Sequence, residues 1–221
     1  MMRFTLEITW YGHSCFRLTE RGKTTVITDP YDPTQLGITP SGVIKADLVT
    51  ISHDVPHHNY LQGVVSKGTP YVLRGAGEYE IGGTFLTGIP LHHIQDDEVV
   101  LNIGYVVQYE GVNVLHLGDL GHVPSTALLQ SLGDVHVLLV PVGGRNTLSA
   151  SQASEIITLI EPNYVIPMHY ALPNLTVELD EVERFLKVMG ISNATTLDTL
   201  KVTGEALPEE MEVVLLQASI E

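Results

Sequence analysis

Tyr105-Val-Val-Gln-Tyr-Glu-Gly-Val-Asn-Val-Leu-His-Leu-Gly-Asp119 reads as an apolar strand, a Glu-Gly turn, a second strand from Val112, and then an acid. β-Branched and aromatic runs broken by a Gly-containing turn mark a hairpin. The same grammar occurs earlier, in Phe16-Arg-Leu-Thr-Glu-Arg-Gly22, a strand over Thr24–Thr28, and Asp29. Each acid is followed by an apolar strand that begins on aspartate, at Asp47 and at Asp134. A weak internal repeat of this kind predicts two stacked sheets of similar construction with helices outside them.

Working outward, four apolar runs stop at, or just before, a residue able to bind a metal or do chemistry. Asp47–Ser52 stops at His53, Val112–Gly118 at Asp119, Val135–Pro141 at the loop Gly143-Gly144-Arg145, and Asn163–Met168 at His169. Buried strands read as continuous apolar runs, and open sheets gather ligands at one end of their strands. These residues are therefore expected to converge.

The remaining elements follow from periodicity and caps. Thr5–Trp10, Ser14–Leu18 and Thr24–Thr28 read as antiparallel strands, with further strands at Tyr71–Leu73, Thr84–Ile89, Val99–Tyr109 and Val112–Leu117. A helix is predicted around His58–Ser66, with Leu61, Val64 and Val65 on one face. Pro124 and Gly133 bracket a short helix containing Leu128, Leu129 and Leu132. Ser149 with Gln152, and Asp180 with Glu183, have capping-box spacing ahead of two amphipathic helices.

Composition sets limits on function. A chain of 221 residues, 44% hydrophobic, fits one domain spanning residues 1–221. Its 26 acidic residues outnumber 11 basic ones and give a net charge of −15. Such a surface repels a phosphate backbone, so no nucleic-acid partner is expected. No apolar run approaches the ~18 residues of a membrane span, and the N-terminus lacks a signal-like apolar core. A soluble, cytoplasmic protein without membrane partners is the expectation. Cys15 stands alone, which excludes an internal disulfide and a cysteine-built metal site. Histidine is the unusual entry in the composition, with ten residues.

Three of those histidines crowd into Ser52-His53-Asp54-Val55-Pro56-His57-His58-Asn59. Neutral imidazole is the commonest metal ligand, and a turn after a buried strand can aim several side chains at one point. Taken alone, the cluster could equally cap a helix or face solvent. Its partners at other strand ends, His93, Asp119 and His169, favour a site. His116 and His136 lie inside apolar strands and read as hydrogen-bonded core residues, while His122 follows Asp119 closely enough to line a cleft. Arg145, after two glycines at a strand end, is placed to bind a carboxylate or phosphate, or equally to pair with a surface acid. Arg74 reads more simply as the partner of a surface acid.

Taken in order, these motifs resemble the metallo-β-lactamase fold superfamily, in particular its branch of small metal-dependent hydrolases similar to L-ascorbate-6-phosphate lactonase. The matching residues are Trp10-Tyr-Gly-His-Ser-Cys-Phe16, Thr28-Asp-Pro30, Ser52-His53 with His58-Asn59, Gly77-Glu-Tyr79, His116-Leu-Gly-Asp-Leu-Gly-His122, Pro141-Val-Gly-Gly144 and Pro167-Met-His169. The resemblance implies an α/β fold, a four-layer αββα sandwich of two mixed sheets with helices on the outer faces. It implies a first metal site with His53 and His93, a second with His58 and His169, and Asp119 bridging. The family signature His-x-His-x-Asp-His is altered here to His53-Asp54-Val55-Pro56-His57-His58. Val55 stands where a ligating histidine is expected, and His57 where the family has the aspartate of the second site, so that His57 could substitute there as a metal ligand. One zinc, or another divalent ion, is thus expected rather than two.

The implied chemistry is hydrolysis of a small ester, lactone or phosphate-bearing substrate, an anionic one if Arg145 binds it, with metal-bound hydroxide as nucleophile and Asp119 and His58 as catalytic residues. The alternative is a degenerate member that only binds a small molecule. His13 and Asp29 lie on loops that the resemblance places near the site, to orient a ligand, to close the pocket, or for structure alone. Self-association stays open.

Overall fold

The structure, a computed structural model, describes residues 4–95 and 98–221; Met1–Arg3, the start of the alternating N-terminal run, lie outside it. Alternation builds the first strands: Leu6, Ile8 and Trp10 of β1 (Leu6–Trp10) face inward, as do Phe16, Leu18 and Glu20 of β2 (Phe16–Glu20). Gly22, at φ +85°, turns β2 into β3 (Val26–Thr28), a conformation glycine adopts without strain. Then follow α1 (Pro33–Leu36), β4 (Ile44–Lys45), β5 (Leu48–Thr50), β6 (Val64–Val65) and β7 (Tyr71–Leu73). The second half begins with β8 (Gly77–Ile81), β9 (Thr84–Gln95), β10 (Glu98–Tyr109) and β11 (Val112–His116). It continues through α2 (Thr126–Gln130), β12 (Val137–Pro141), α3 (Ala150–Ile160), β13 (Tyr164–Met168), α4 (Val182–Val188), β14 (Thr195–Leu197), β15 (Thr199–Val202) and β16 (Glu212–Leu216).

The strands form a six-stranded sheet, β15-β1-β2-β3-β5-β7, an eight-stranded sheet, β14-β16-β13-β12-β11-β10-β9-β8, and the small pair β4-β6. The repeat is visible in the pairing. From β1 to β7 the contacts run antiparallel, antiparallel, parallel, parallel. From β9 to β13 they run in the same order. Each sheet thus delivers its parallel strands' ends to one edge. β14 and β15, separated by Asp198 alone, carry the chain from one sheet to the other.

The fold is the αββα sandwich, with unequal outer layers. Helices α2, α3 and α4 pack together over the eight-stranded sheet. The outer face of the other sheet is covered by α1, β4 and loops, whose Leu36, Ile38 and Ile44 join Ile27, Val49 and Ile51 in a separate apolar cluster. Between the sheets lie Trp10, Phe16, Leu18, Tyr105 and Val107. Trp10 also donates its indole N–H to the carbonyl of His13 at 3.0 Å, so a core aromatic fixes a loop of the site.

Three expectations are corrected. The helix expected over His58–Ser66 is a single 3-10 turn, Leu61–Gly63, followed by β6. Tertiary bonds win there: Tyr60 N–H donates to Pro30 O at 2.7 Å, and Asn59 donates to Asp54 at 2.8 Å, leaving β-branched Val64 and Val65 to pair with β4. The box at Asp180 and Glu183 does not form, because α4 is capped by Glu181 and the Asp180 carboxylate instead holds Arg184 at 2.9 Å. The strand at Thr84–Ile89 extends to Gln95, in a hairpin with β10. The box at Ser149 and Gln152 is formed in full.

Candidate metal centre

Asp29 anchors the site. It follows β3 at φ +39°, is fully buried, and accepts hydrogen bonds from Ser52 N–H (2.7 Å), from the Ser52 hydroxyl, and from His58 Nδ1–H (2.9 Å). The bond to Nδ1 fixes the His58 tautomer, leaving Nε2 with its lone pair 3.7 Å from Asp119 Oδ2.

Asp119 enters from the other sheet. Its backbone N–H donates to Asn102 Oδ1 at 2.9 Å, and Asn102 Nδ2 donates to Leu117 O at 2.9 Å, so a buried amide inside β10 holds the loop. Gly118, at φ +61°, permits the approach, since a Cβ there would collide with Ser52 and Asn102. Asp119 Oδ1 accepts no hydrogen bond, although His169 Nε2 lies 3.3 Å away. His169 sits just past β13 at φ +53°, with its N–H donating to His13 O at 3.1 Å.

On the far side of Asp119, His93 Nδ1–H donates to the Asp119 carbonyl at 2.8 Å, and His53 Nδ1 contacts Leu101 O at 3.3 Å. A carbonyl only accepts, so both rings carry their proton on Nδ1 and keep Nε2 free. Their centroids are 5.0 Å apart.

The electrostatics match these contacts. Burial would raise both carboxyls, but the neighbouring groups outweigh it: His58, His116 and Ser52 hold Asp29 below its ordinary value, and His169, His58, His93 and His53 do the same for Asp119. Burial pushes His169 down to about 4 against the pull of Asp119, and drives His13 well below its usual value, reinforced by His169, His58 and His57. Burial likewise lowers His93 and His57. His58 opposes the trend: burial lowers it, but the Asp29 bond and the charges of Asp29 and Asp119 raise it overall.

A cavity of about 500 Å³ opens onto this cluster. It is lined by His53, His57, His58, His93, Asp119 and His169, by His13, and at its mouth by Arg145 and Glu178, which form an ion pair. Val55 presents an apolar wall to it. His122 is not part of this lining: Gly121 N–H donates to His92 O at 3.0 Å, which carries the chain toward β9 and sets His122 against His92, centroids 5.6 Å apart. Arg74 pairs with Asp54 at 2.7 Å. His116 donates to Ser14 O at 3.0 Å and His136 accepts from Asn113 N–H at 2.9 Å, both within the framework. Ser52 and Asn102 hold the site, and sequence reading missed both roles. The available signals were a hydroxyl at the end of an apolar strand and a lone amide inside another.

A family model described as a beta-lactamase superfamily domain matches residues 7–169. A metal-dependent hydrolase of Methanopyrus kandleri is 30% identical, over 84% of this chain and 94% of its own. One from Methanocaldococcus jannaschii is 28% identical over 83% and 94%. Among solved structures, a Thermotoga maritima protein provisionally assigned as a Zn-dependent hydrolase of the metallo-β-lactamase superfamily superposes with a TM-score of 0.77 at 35% identity, over 96% of this chain and 98% of that one.

Proposed function

The chain belongs to the beta-lactamase superfamily, and on that premise we propose that it is a metal-dependent hydrolase of a small ester, lactone or phosphate-bearing molecule, one domain over residues 1–221, using one zinc ion.

The observation that carries this reading is the unpartnered Oδ1 of Asp119. A buried carboxylate oxygen without a donor costs about 1–3 kcal/mol or more. Here it lies 3.3 Å from His169 Nε2, while the other oxygen, Oδ2, lies 3.7 Å from His58 Nε2. The Asp29 bond leaves the His58 Nε2 lone pair turned toward the Asp119 carboxylate, a repulsion that a cation between them would relieve. An ionised carboxylate with imidazole nitrogens is a donor set suited to zinc. His58, His169 and Asp119 would hold the ion. His53 and His93 offer two nitrogens on the other side, where Val55 supplies none, and this supports one ion in place of two.

A bound divalent cation supplies Lewis acidity and lowers the pKa of a coordinated water to about 7. The protein does the rest. Asp29 keeps the His58 ring turned toward the cavity, and Asn102 keeps the Asp119 backbone in place. Val55 contributes an apolar wall that limits water. Arg145, paired with Glu178 at the mouth where both side chains are exposed and the pair is screened by water, would exchange that partner for a substrate carboxylate or phosphate. His122 has no part in this reading, because it stands outside the cavity wall.

The test is a panel of activated esters, lactones and phosphodiesters with metal-loaded protein. A rate that falls on chelation, and is lost in folded Asp119→Ala, supports the hydrolase. No chelator-sensitive turnover, with small acidic metabolites still raising the melting temperature, would favour a binding role instead.

A further inference from the structure

We infer that His13 is a direct ligand of the cation, completing a set with His58, His169 and Asp119, and that the inference rests on the single-ion reading above. His13 is 2% exposed, yet neither of its ring nitrogens has a hydrogen-bond partner. Among the described residues it is the one histidine with both nitrogens buried and unpartnered. A neutral imidazole has one donor and one acceptor, and buried polar atoms are normally paired. The core histidine His116, equally buried, at least engages Nε2 with Ser14 O.

Position supplies the second line of support. One nitrogen each from His13, His58 and His169 lies within 4.8 Å of the others, a spacing a shared ion can bridge with small side-chain adjustments. The His13 ring centroid is 3.9 Å from that of His169 and 5.0 Å from that of His58. Its backbone is fixed independently of any ligand, since its carbonyl accepts from both Trp10 Nε1–H and His169 N–H. His57 is placed less well: it is only half-buried, and its ring centroid lies 6.1 Å from that of His13. The residue four strands away in sequence is thus better positioned than the one beside His58. Burial also keeps His13 neutral, the form that coordinates. Three imidazoles and a carboxylate would leave room for a water or a substrate oxygen only by expanding to five-coordination, which zinc permits.

The experiment uses the full chain loaded with zinc or cobalt(II) alone. X-ray absorption counts imidazole ligands, chelator competition gives affinity, and ¹⁵N NMR of labelled histidines follows the His13 ring on zinc addition. The expected results are a His13 ring nitrogen that shifts on loading, three imidazoles in the native chain against two in His13→Ala, and a loss of affinity of at least about 100-fold, beyond the ~10–100-fold of a residue acting through a ligand. An unchanged imidazole count in His13→Ala, or a His13 resonance that zinc leaves unmoved in the native chain, overturns the inference. The NMR readout holds even if the variant misfolds. Failure of the native chain to take up any metal would instead overturn the single-ion reading itself.

Discussion

Asp29 follows β3 and Asp119 follows β11, the third strands of two series that share one pairing order. Asp29 is saturated, with three donors on its two oxygens. Asp119 keeps Oδ1 free. The neighbouring strand ends explain the contrast. Two residues beyond β5 stands Ser52, whose amide and hydroxyl both reach Asp29; two residues beyond β12 stands Gly143, which has no side chain to offer. Nor could it carry one, since a Cβ there would collide with the carbonyl of His169. A repeated framework can therefore supply both an internal anchor and an open ligand, with the difference set by one hydroxyl and one glycine.

The largest expected effect is on Asp119. Asp119→Asn should remove tightly bound metal and lower the chelator-sensitive rate by more than about 10²–10³-fold, the scale of losing one electrostatic contact to a transition state. Its melting temperature without metal should fall only slightly: no hydrogen bond to Oδ1 is lost, although the histidines that hold this carboxyl below its ordinary value lose the charge they favour. Calorimetry beside metal analysis checks both halves, and a metal-replete variant would show that the open carboxylate is not the ligand.

Asp29→Asn should give the opposite pattern. An amide cannot accept from three donors as the carboxylate does, so stability should fall by about 1–3 kcal/mol. At roughly 2–4 °C per kcal/mol for a chain of this size, the drop in melting temperature should be several degrees. Metal affinity should fall only ~10–100-fold, through a less firmly oriented His58. A variant as stable as the native chain would contradict the anchoring role.

On the side of His53 and His93, Val55→His supplies a third imidazole, and the metal ratio should rise above one per chain. Elemental analysis after dialysis reads it directly. An unchanged ratio would mean that Val55 is not what limits that side.

The smallest effect is on pH dependence without metal. His169 titrates near 4 in the fold against about 6.5 when unfolded, so the unfolded chain takes up a proton that the folded one refuses. That contribution is complete above pH 6.5 and is lost as pH falls toward 4. The lowered Asp29 and Asp119 extend the loss below that range, as pH falls through their folded values. His58, raised in the fold, acts with opposite sign, contributing most below pH 6.5 and losing its share as pH rises. The melting temperature of chelated protein should therefore fall between pH 6.5 and 4, and fall less in His169→Gln. A flat profile in both would remove the burial argument for His169.

Much of the framework was legible because Gly22 and Gly111 punctuate strands with clear apolar patterns. The edge strand β8 was missed, since Gly77-Glu-Tyr-Glu-Ile81 is mostly exposed and carries no buried run. β14 is likewise short and largely exposed. Leu61 and Val64 mimicked a helix face because both serve the outer apolar cluster, one from a turn and one from a strand. In the site, residues at strand ends could be read from the rule that such ends converge. The link from Asp29 to Ser52 and His58 could not, as it joins positions 23 and 29 residues apart with no local signature. The unsatisfied nitrogens of His13 are a property of packing alone.

The most direct measurement is the metal content of the native chain purified without added metal and then loaded with zinc and dialysed, beside Asp119→Asn treated identically. An open Asp119 set against a saturated Asp29 predicts close to one ion per native chain and almost none in the variant. Equal metal in the two proteins, or none in either after loading, would contradict it.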